Sequence, residues 1–481
     1  MRKYLGIILV GAMIAFGAGC SDEDGGNAGT GGTAGTGGTG GTGGDGGGVD
    51  LCAEAGGSGQ VLISVEEITE DTRLTAACNY VLTREVYVVG ATLTIDAGVT
   101  IGGDDGSALI ITTSGRIDAQ GTETAPIVMT SSRPEGQRET GDWGGVVLLG
   151  EARLSWGNEQ CDGTAGDCVA NIEGLPANEN RGVFGGNDDD HDCGTLRYVR
   201  IEFAGFRFGG LVEGNELNGL TVGGCGSETT LEYIQVHRGL DDGVEFFGGT
   251  ADIQYVIVSG TGDDGIDWDQ GYSGTIMNFI VHHFAGSSSD PRGIEADNFS
   301  ENNDVEPRSA PQVMYGTLVA TEDTTNNEGI VLRRGTFGVL DGLVVSGWNR
   351  DGVDLRDGAW DVSGGWPTGL LVTNSCFFGN GPNFPQDVEC VDDGEGGTTG
   401  AEDCDDYSGS GDVTDEANYF PEDTNMPAQS NITEDPGLGD FSGAVDGSAT
   451  PNYSVTNTNC DGAFAPSGDD WTADWTEFPA N

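Results

Sequence analysis

The sequence predicts an all-β chain wound as a parallel β-helix, a solenoid with capped ends, and three observations carry that prediction. From about residue 85 the chain reads as short apolar strands broken by Gly, Asp and Asn, with no helical periodicity beyond the first twenty residues. The segments YIQVHRGLDDGVEFFGG from Tyr233 and YVIVSGTGDDGIDWDQG from Tyr255 are one unit repeated after 22 residues. The offset between strands stays at ten, from Ile234 to Val244, Val256 to Ile266 and Leu343 to Val353. Such a unit matches one rung of a coil whose turns stack ~4.8 Å apart. Barrels and sandwiches call for a series of Asn-Gly hairpins, and a propeller for four strands in about 40 residues; neither series is present.

The elements follow in chain order. Residues 1–19 read as a signal peptide: Arg2 and Lys3, an apolar stretch from Tyr4 to Phe16, then Gly17-Ala18-Gly19-Cys20. That ending resembles a lipobox, which makes Cys20 the lipidated N-terminus and places the protein at the outer membrane, facing the cell surface. The apolar stretch is shorter than the ~20 residues of a transmembrane helix. Residues 20–50 are the anchor and a Gly/Thr-rich linker with almost nothing to bury, a tether of roughly 30 Å as a random coil. Residues 51–84 are expected to cap the coil, 85–380 to form it, and the Cys-rich 381–481 to close its far end.

Alternation along each strand sets a register. Ile234/Val236, Val256/Val258 and Leu343/Val345 point inward, continued by Val244/Phe246, Ile266/Trp268, Ile294/Ala296, Ile330/Leu332 and Val353/Leu355. Gly243, Gly265, Gly293, Gly329 and Gly352 then share one corner, where a glycine-only backbone conformation is expected.

Charge excludes whole classes of partner. There are 79 acidic and 19 basic side chains, and removing residues 1–19 takes away two basic ones, so the mature charge is 17 − 79 = −62. Nucleic-acid binders neutralise phosphates with Lys and Arg, and the single lysine is Lys3. Ten cysteines besides Cys20, with no C-x-x-C spacing, point to disulfides rather than zinc; the local pairs are Cys161 with Cys168, Cys52 with Cys78, and Cys193 with Cys225.

The segment GDWGGVVLLG at 141–150, with IEGLPANENRGVFGGNDDDHDCGTLRYVRIEFAG at 172–205 and the ending GAFAPSGDDWTADWTEF, resembles a largely uncharacterised family of secreted and lipid-anchored bacterial surface proteins. That family belongs to the right-handed parallel β-helix, or pectin-lyase-like, superfamily. The resemblance covers roughly residues 75–475 and implies the fold; it says little of activity.

The chemistry candidates cluster at one corner. Asp241, Asp242, Asp263 and Asp264 fall on adjacent rungs, with Asp267 and Asp269 beside them. Glu245, Asp267 and Glu295 make an outward ladder, followed by Arg333 and Arg356. Two carboxylates ~4.8 Å apart repel by about 3.5 kcal/mol at an effective dielectric of 20. Either Ca²⁺ binds there, as suits oxygen-only clusters on exported proteins, or these are solvated turn aspartates bonded to their own backbone. The tract with Asp188, Asp189, Asp190 and Asp192 is a second candidate. His237 and His283 share an outward column with Ser259 and are expected at the surface, while Trp348, Trp360 and Trp366 lie near loops, where they would stack on sugar rings.

The reading is a surface-anchored β-helix with a binding or structural role toward glycan, cation or another surface. Its rival is a calcium-dependent polysaccharide lyase or glycoside hydrolase on the same scaffold, with Arg292 or Arg333 as base. The Asp-Asp pairs superficially resemble those of pectin hydrolases, but the accompanying G-H-G and R-I-K segments do not occur.

Overall fold

The computed structural model describes residues 48–155, 168–175, 180–205, 217–284, 291–300, 302–321, 327–356, 369–381, 383, 391–392, 398–399 and 431–480. The predicted leader, Cys20, most of the tether, Cys161, Cys390, Cys404, Trp360 and Trp366 lie outside the described residues.

The short strands read from the sequence stack into two long parallel sheets. A ten-stranded sheet runs from Glu67–Ile68 to Asp354–Arg356 and makes one face of the coil, and a seventeen-stranded sheet makes the other two. The larger sheet bends because one residue per rung drops out of the pairing: Glu232 pairs with Gln254 and Ile234 with Val256, leaving Tyr233 and Tyr255 between them. Tyr198, Tyr233, Tyr255, Asn278 and Tyr315 occupy this bend with φ of 50–59°, a left-handed kink repeated rung after rung. Tyr198, Tyr233 and Tyr255 stack there with ring centroids 4.3 and 4.5 Å apart.

The inward columns close the core. All sixteen inward residues read from the alternation fall in one continuous apolar cluster that runs the length of the coil. Their partners are as the period demands, Val244 with Ile266 and Ile266 with Ile294.

The glycine corner has a different cause from the expected one. Gly243, Gly265, Gly293, Gly329 and Gly352 are absent from the positive-φ residues. Instead each rung presses on the next, so that a Cβ on Gly243 would lie 2.6 Å from Gly265 O, and one on Gly265 2.7 Å from Gly293 O. The corner requires glycine for close approach.

The first rungs begin earlier than expected. Val49–Asp50 pairs with Thr72–Leu74, and Gly59–Ile63 with Cys78–Leu82, so residues 51–84 already build coil, with only the four-residue helix Leu51–Glu54 beside the first turn. Disulfides Cys52–Cys78 and Cys193–Cys225 each tie residues of neighbouring rungs, and Cys168 is also disulfide-bonded. A further bond, Cys376–Cys460, fastens the C-terminal segment 431–480, which lies along an outer face of the coil.

Candidate functional site

Outward positions of the ten-stranded sheet carry the acidic ladder. Thr221, Glu245, Asp267, Glu295, Val331 and Asp354 form one column by direct pairing. The turns entering these strands bring Asp241-Asp242 and Asp263-Asp264 alongside.

Outward does not mean solvated. Asp242, Asp264, Glu245 and Glu295 are only 7%, 3%, 8% and 4% exposed. Asp242 and Asp264 are buried because their side chains splice successive rungs. Asp242 N donates to Asn218 Oδ1 (3.2 Å), Asp264 N to Asp242 Oδ1 (2.8 Å), and Arg292 N to Asp264 Oδ1 (2.7 Å). The expected turn aspartates bonded to their own backbone are thus replaced by aspartates that accept from the backbone of the next rung.

The ladder divides into two halves. In the first, ligand atoms of Asp242, Glu245 and Asp267 lie within 4.8 Å of one another, as do those of Asp241, Asp242 and Asp263, and those of Asp264, Asp267 and Glu295. Among the described residues, Asp267 Oδ1 and Asp269 Oδ1 are buried without a hydrogen-bond donor. Burial is the first cause that pushes Asp242, Glu245, Asp264, Asp267 and Asp269 well above the ordinary carboxylate range. Neighbouring carboxylates are the second for all but Asp264, whose second influence, Arg292, pulls the other way.

In the second half arginines interleave with the acids. Arg292 pairs with Glu295 and reaches Glu328 (3.3 Å) and Asp264 (3.7 Å). Arg333 pairs with Glu295 and with Asp297 (2.7 Å), Arg334 with Asp297 (2.6 Å), and Arg350 with Glu328 (3.2 Å). Burial, then the charge of Arg334, brings Arg333 down to about 10.

A hairpin walls the other side. Ala170–Asn171 pairs antiparallel with Val183–Phe184, and its apolar residues cover the early outward face on Tyr87, Ile110, Val147, Leu149 and Phe247. Arg181 clamps it, 3.9 Å over the Tyr87 ring and 2.8–2.9 Å from Glu66 and Glu67. Glu173 of this hairpin adds its charge to Glu245 and Asp269. The all-carboxylate patch therefore lies between an apolar cover and an arginine network.

A family model described as a pectate-lyase like beta helix domain matches residues 66–390. The chain belongs to this family. No curated protein and no solved structure matches it.

This pectate-lyase-like β-helix places the remaining sequence candidates as follows. Trp348 is fully buried, its Nε1 donating to Leu318 O (3.3 Å) and its ring stacked on His283, so it is core and not a sugar platform. Its position beside a glycine turn resembled a loop, but the side chain turns inward.

The histidines are buried too. His237 pairs with Ser259 after 22 residues, but Ser259 pairs with His282 after 23, because the coil gains one residue between Asp269 and Ile276. The column is His237–Ser259–His282, and His283 faces the core. In the second acidic tract Asp189 is bound by Arg153 and Asp192 by Arg116. Among the described residues this tract forms no grouping of three carboxylates at ligand distance. Sequence reading missed Glu328, 0% exposed, and Arg350; neither belongs to the Asp-Asp-Gly repeat that drew attention to the corner.

Proposed function

We propose that this β-helix is a lipid-anchored protein of the outer-membrane surface whose role is binding, and that the carboxylate-only half of its ladder holds a divalent cation, Ca²⁺ foremost. The observation that carries the cation is the pair of buried oxygens on Asp267 and Asp269 that have no donor among the described residues, set among carboxylates reached by a single arginine, Arg292, 3.7 Å from Asp264. Uncompensated buried charge is costly, and a cation with oxygen ligands relieves it; protonation is the other route. Asp242, Glu245, Asp264 and Asp267 supply the nearest oxygens. Through such an ion the face would meet an anionic extracellular glycan or surface despite the −62 charge. The anchor rests on the sequence of residues 1–20, and the tether on the glycine tract that follows.

Melting in EDTA and in millimolar Ca²⁺ tests the cation. At ten times a Kd in the 10⁻⁴ M range of extracellular sites, Ca²⁺ adds about 1.4 kcal/mol of stability. Equal melting temperatures overturn the proposal. For the anchor, the Cys20→Ala protein is expected in the soluble fraction, and its retention in membranes would count against lipidation.

The competing reading, a calcium-dependent lyase or hydrolase, is favoured by Arg292 beside Asp264. Against it, Arg292 and Arg333 are engaged by two or more carboxylates each, which leaves neither poised as a base. Release of unsaturated or reducing sugars from a glycan panel, abolished by Asp267→Asn, would replace binding by catalysis.

A further inference from the structure

A second face of the coil is covered by the chain's own residues 431–480. The segment crosses the outward side of strands Thr230–His237, Ile253–Ser259, Thr275–Phe284 and Gln312–Thr321, where Ile257, Ile280 and Val319 pack with Tyr453, Ala463, Trp475 and Phe478. Side chains of the coil also grip its backbone. Gln235 Nε2 donates to Glu477 O (2.6 Å) while Glu477 N donates to Gln235 Oε1 (3.0 Å), the pairing a neighbouring strand would make. Arg238 donates to Val445 O (2.7 Å), Asn278 Nδ2 to Ala463 O and Ala465 O (2.9 and 2.6 Å), and Ala463 N to Thr317 Oγ1 (2.9 Å).

Two histidines of one column lie in this seam. His237 is 0% exposed, with Nδ1 2.8 Å from Ser259 Oγ and Nε2 2.9 Å from Pro479 O. A carbonyl only accepts, so Nε2 carries the hydrogen. His282 is 1% exposed, with Nδ1 3.0 Å from Tyr453 OH and Nε2 2.9 Å from Thr321 Oγ1.

The charged groups around His237 are Arg238 on its own strand, and Arg200 and Glu202 on the preceding one; Glu202 is its register partner. Glu202 is itself held by Arg200 (3.3 Å) and, from the 131–143 loop, Arg138 (3.8 Å), and Glu477 of the segment is paired with Arg200 (2.6 Å). His282 faces His283 on its own strand, His237 two rungs away and Tyr453 of the segment. The acids nearest these histidines are thus already committed to arginines.

We propose that residues 431–480 are an acid-releasable clasp, docked on the coil while His237 and His282 are neutral and lifted when both take up protons. Burial holds each imidazole down to about 3 in the docked state; at His237 the Pro479 carbonyl pulls the other way and Arg238 and Arg200 push further down, and at His282 the neighbouring His283 and His237 add to the lowering. Released, both return toward the ordinary value near 6.5. The released form therefore binds more protons below about pH 6.5, so docking is fully retained above that pH and is lost progressively toward pH 3. At pH 5.0 each histidine multiplies the opening equilibrium by about thirty, and the two together by up to about a thousand. Glu202, raised by its burial, acts in the opposite direction wherever opening exposes it. The disulfide Cys376–Cys460 keeps the lifted segment attached.

The test is hydrogen exchange of the full chain at pH 7.5 and 5.0, corrected for intrinsic rate, comparing peptides within 450–480 with peptides from Val244–Phe247 and Ile266–Asp269. In the wild type, segment amides are expected to open between thirty and a thousand times more at pH 5.0, while the strand amides hold. A His237→Gln/His282→Gln protein should show no such change, and His282→Gln alone, the variant of choice if the double one does not fold, about thirtyfold. Equal protection of the wild-type segment at both pH values overturns the proposal, as does a folded variant that loosens as the wild type does.

Discussion

The two halves of the acidic ladder use the same backbone and the same column, yet they solve the same electrostatic problem differently. From Arg292 onward arginines meet several of the buried acids, as Glu295 has Arg292 and Arg333, and Glu328 has Arg292 and Arg350, although Glu328, Asp351 and Asp354 still bring their oxygens within 4.8 Å of one another. From Asp241 to Asp269 carboxylates dominate, with Arg292 reaching only Asp264, at 3.7 Å, and two oxygens have no donor among the described residues. The lesson is that stacking at ~4.8 Å amplifies whatever charge a column carries. A coil either alternates signs along the column or leaves a place where a cation or protons must do so.

That contrast can be broken from either side. The largest effect is expected in the neutralised half: Arg333→Gln leaves Glu295 and Asp297 with fewer partners and should cost about 3–5 kcal/mol, read by chemical denaturation. A loss under 1 kcal/mol would mean that the arginines are ornamental. In the other half, Asp267→Asn removes one repelling charge and should raise the stability of the EDTA-treated protein by about 1–3 kcal/mol. A fall instead would show that Asp267 is already compensated.

Next in size is the pH dependence. Carboxylates raised in the folded state bind protons more tightly there than when unfolded, so their contribution is greatest at low pH and is lost as pH rises through the folded pKa values. Metal-free protein should therefore lose stability through this patch as pH rises above the ordinary carboxylate range, and saturating Ca²⁺ should flatten that slope. An unchanged slope in Asp267→Asn would assign it elsewhere. The smallest effect is expected from Asp264→Asn, which keeps Oδ1 for Arg292 N; Asp264→Ala should cost about 1–3 kcal/mol more, as a buried backbone donor loses its acceptor.

Much of this molecule was legible in its sequence, and the boundary has physical causes. Period-two alternation fixes which residues face in, so the columns from Ile234 to Leu355 and the ladder Glu245–Asp267–Glu295 follow from counting alone. Counting fails where a rung gains a residue: one extra position between Asp269 and Ile276 moves the partner of Ser259 from Val281, 22 residues on, to His282, and the expected His283 turns inward. It is also blind to what covers an outward face. Glu245 and His237 point away from the core, but the hairpin around Glu173 and the segment 431–480 lie next to them, and neither shows periodicity. The bond between Cys376 and Cys460 spans 84 residues and leaves no local spacing to read.

The difference between the two halves is tested most directly by calorimetric titration of Ca²⁺ into EDTA-stripped protein at pH 7.5, with Asp267→Asn and Glu328→Gln alongside. Saturable binding in the wild type, lost in Asp267→Asn and kept in Glu328→Gln, is the predicted result. No binding by the wild type, or equal binding by Asp267→Asn, would contradict it.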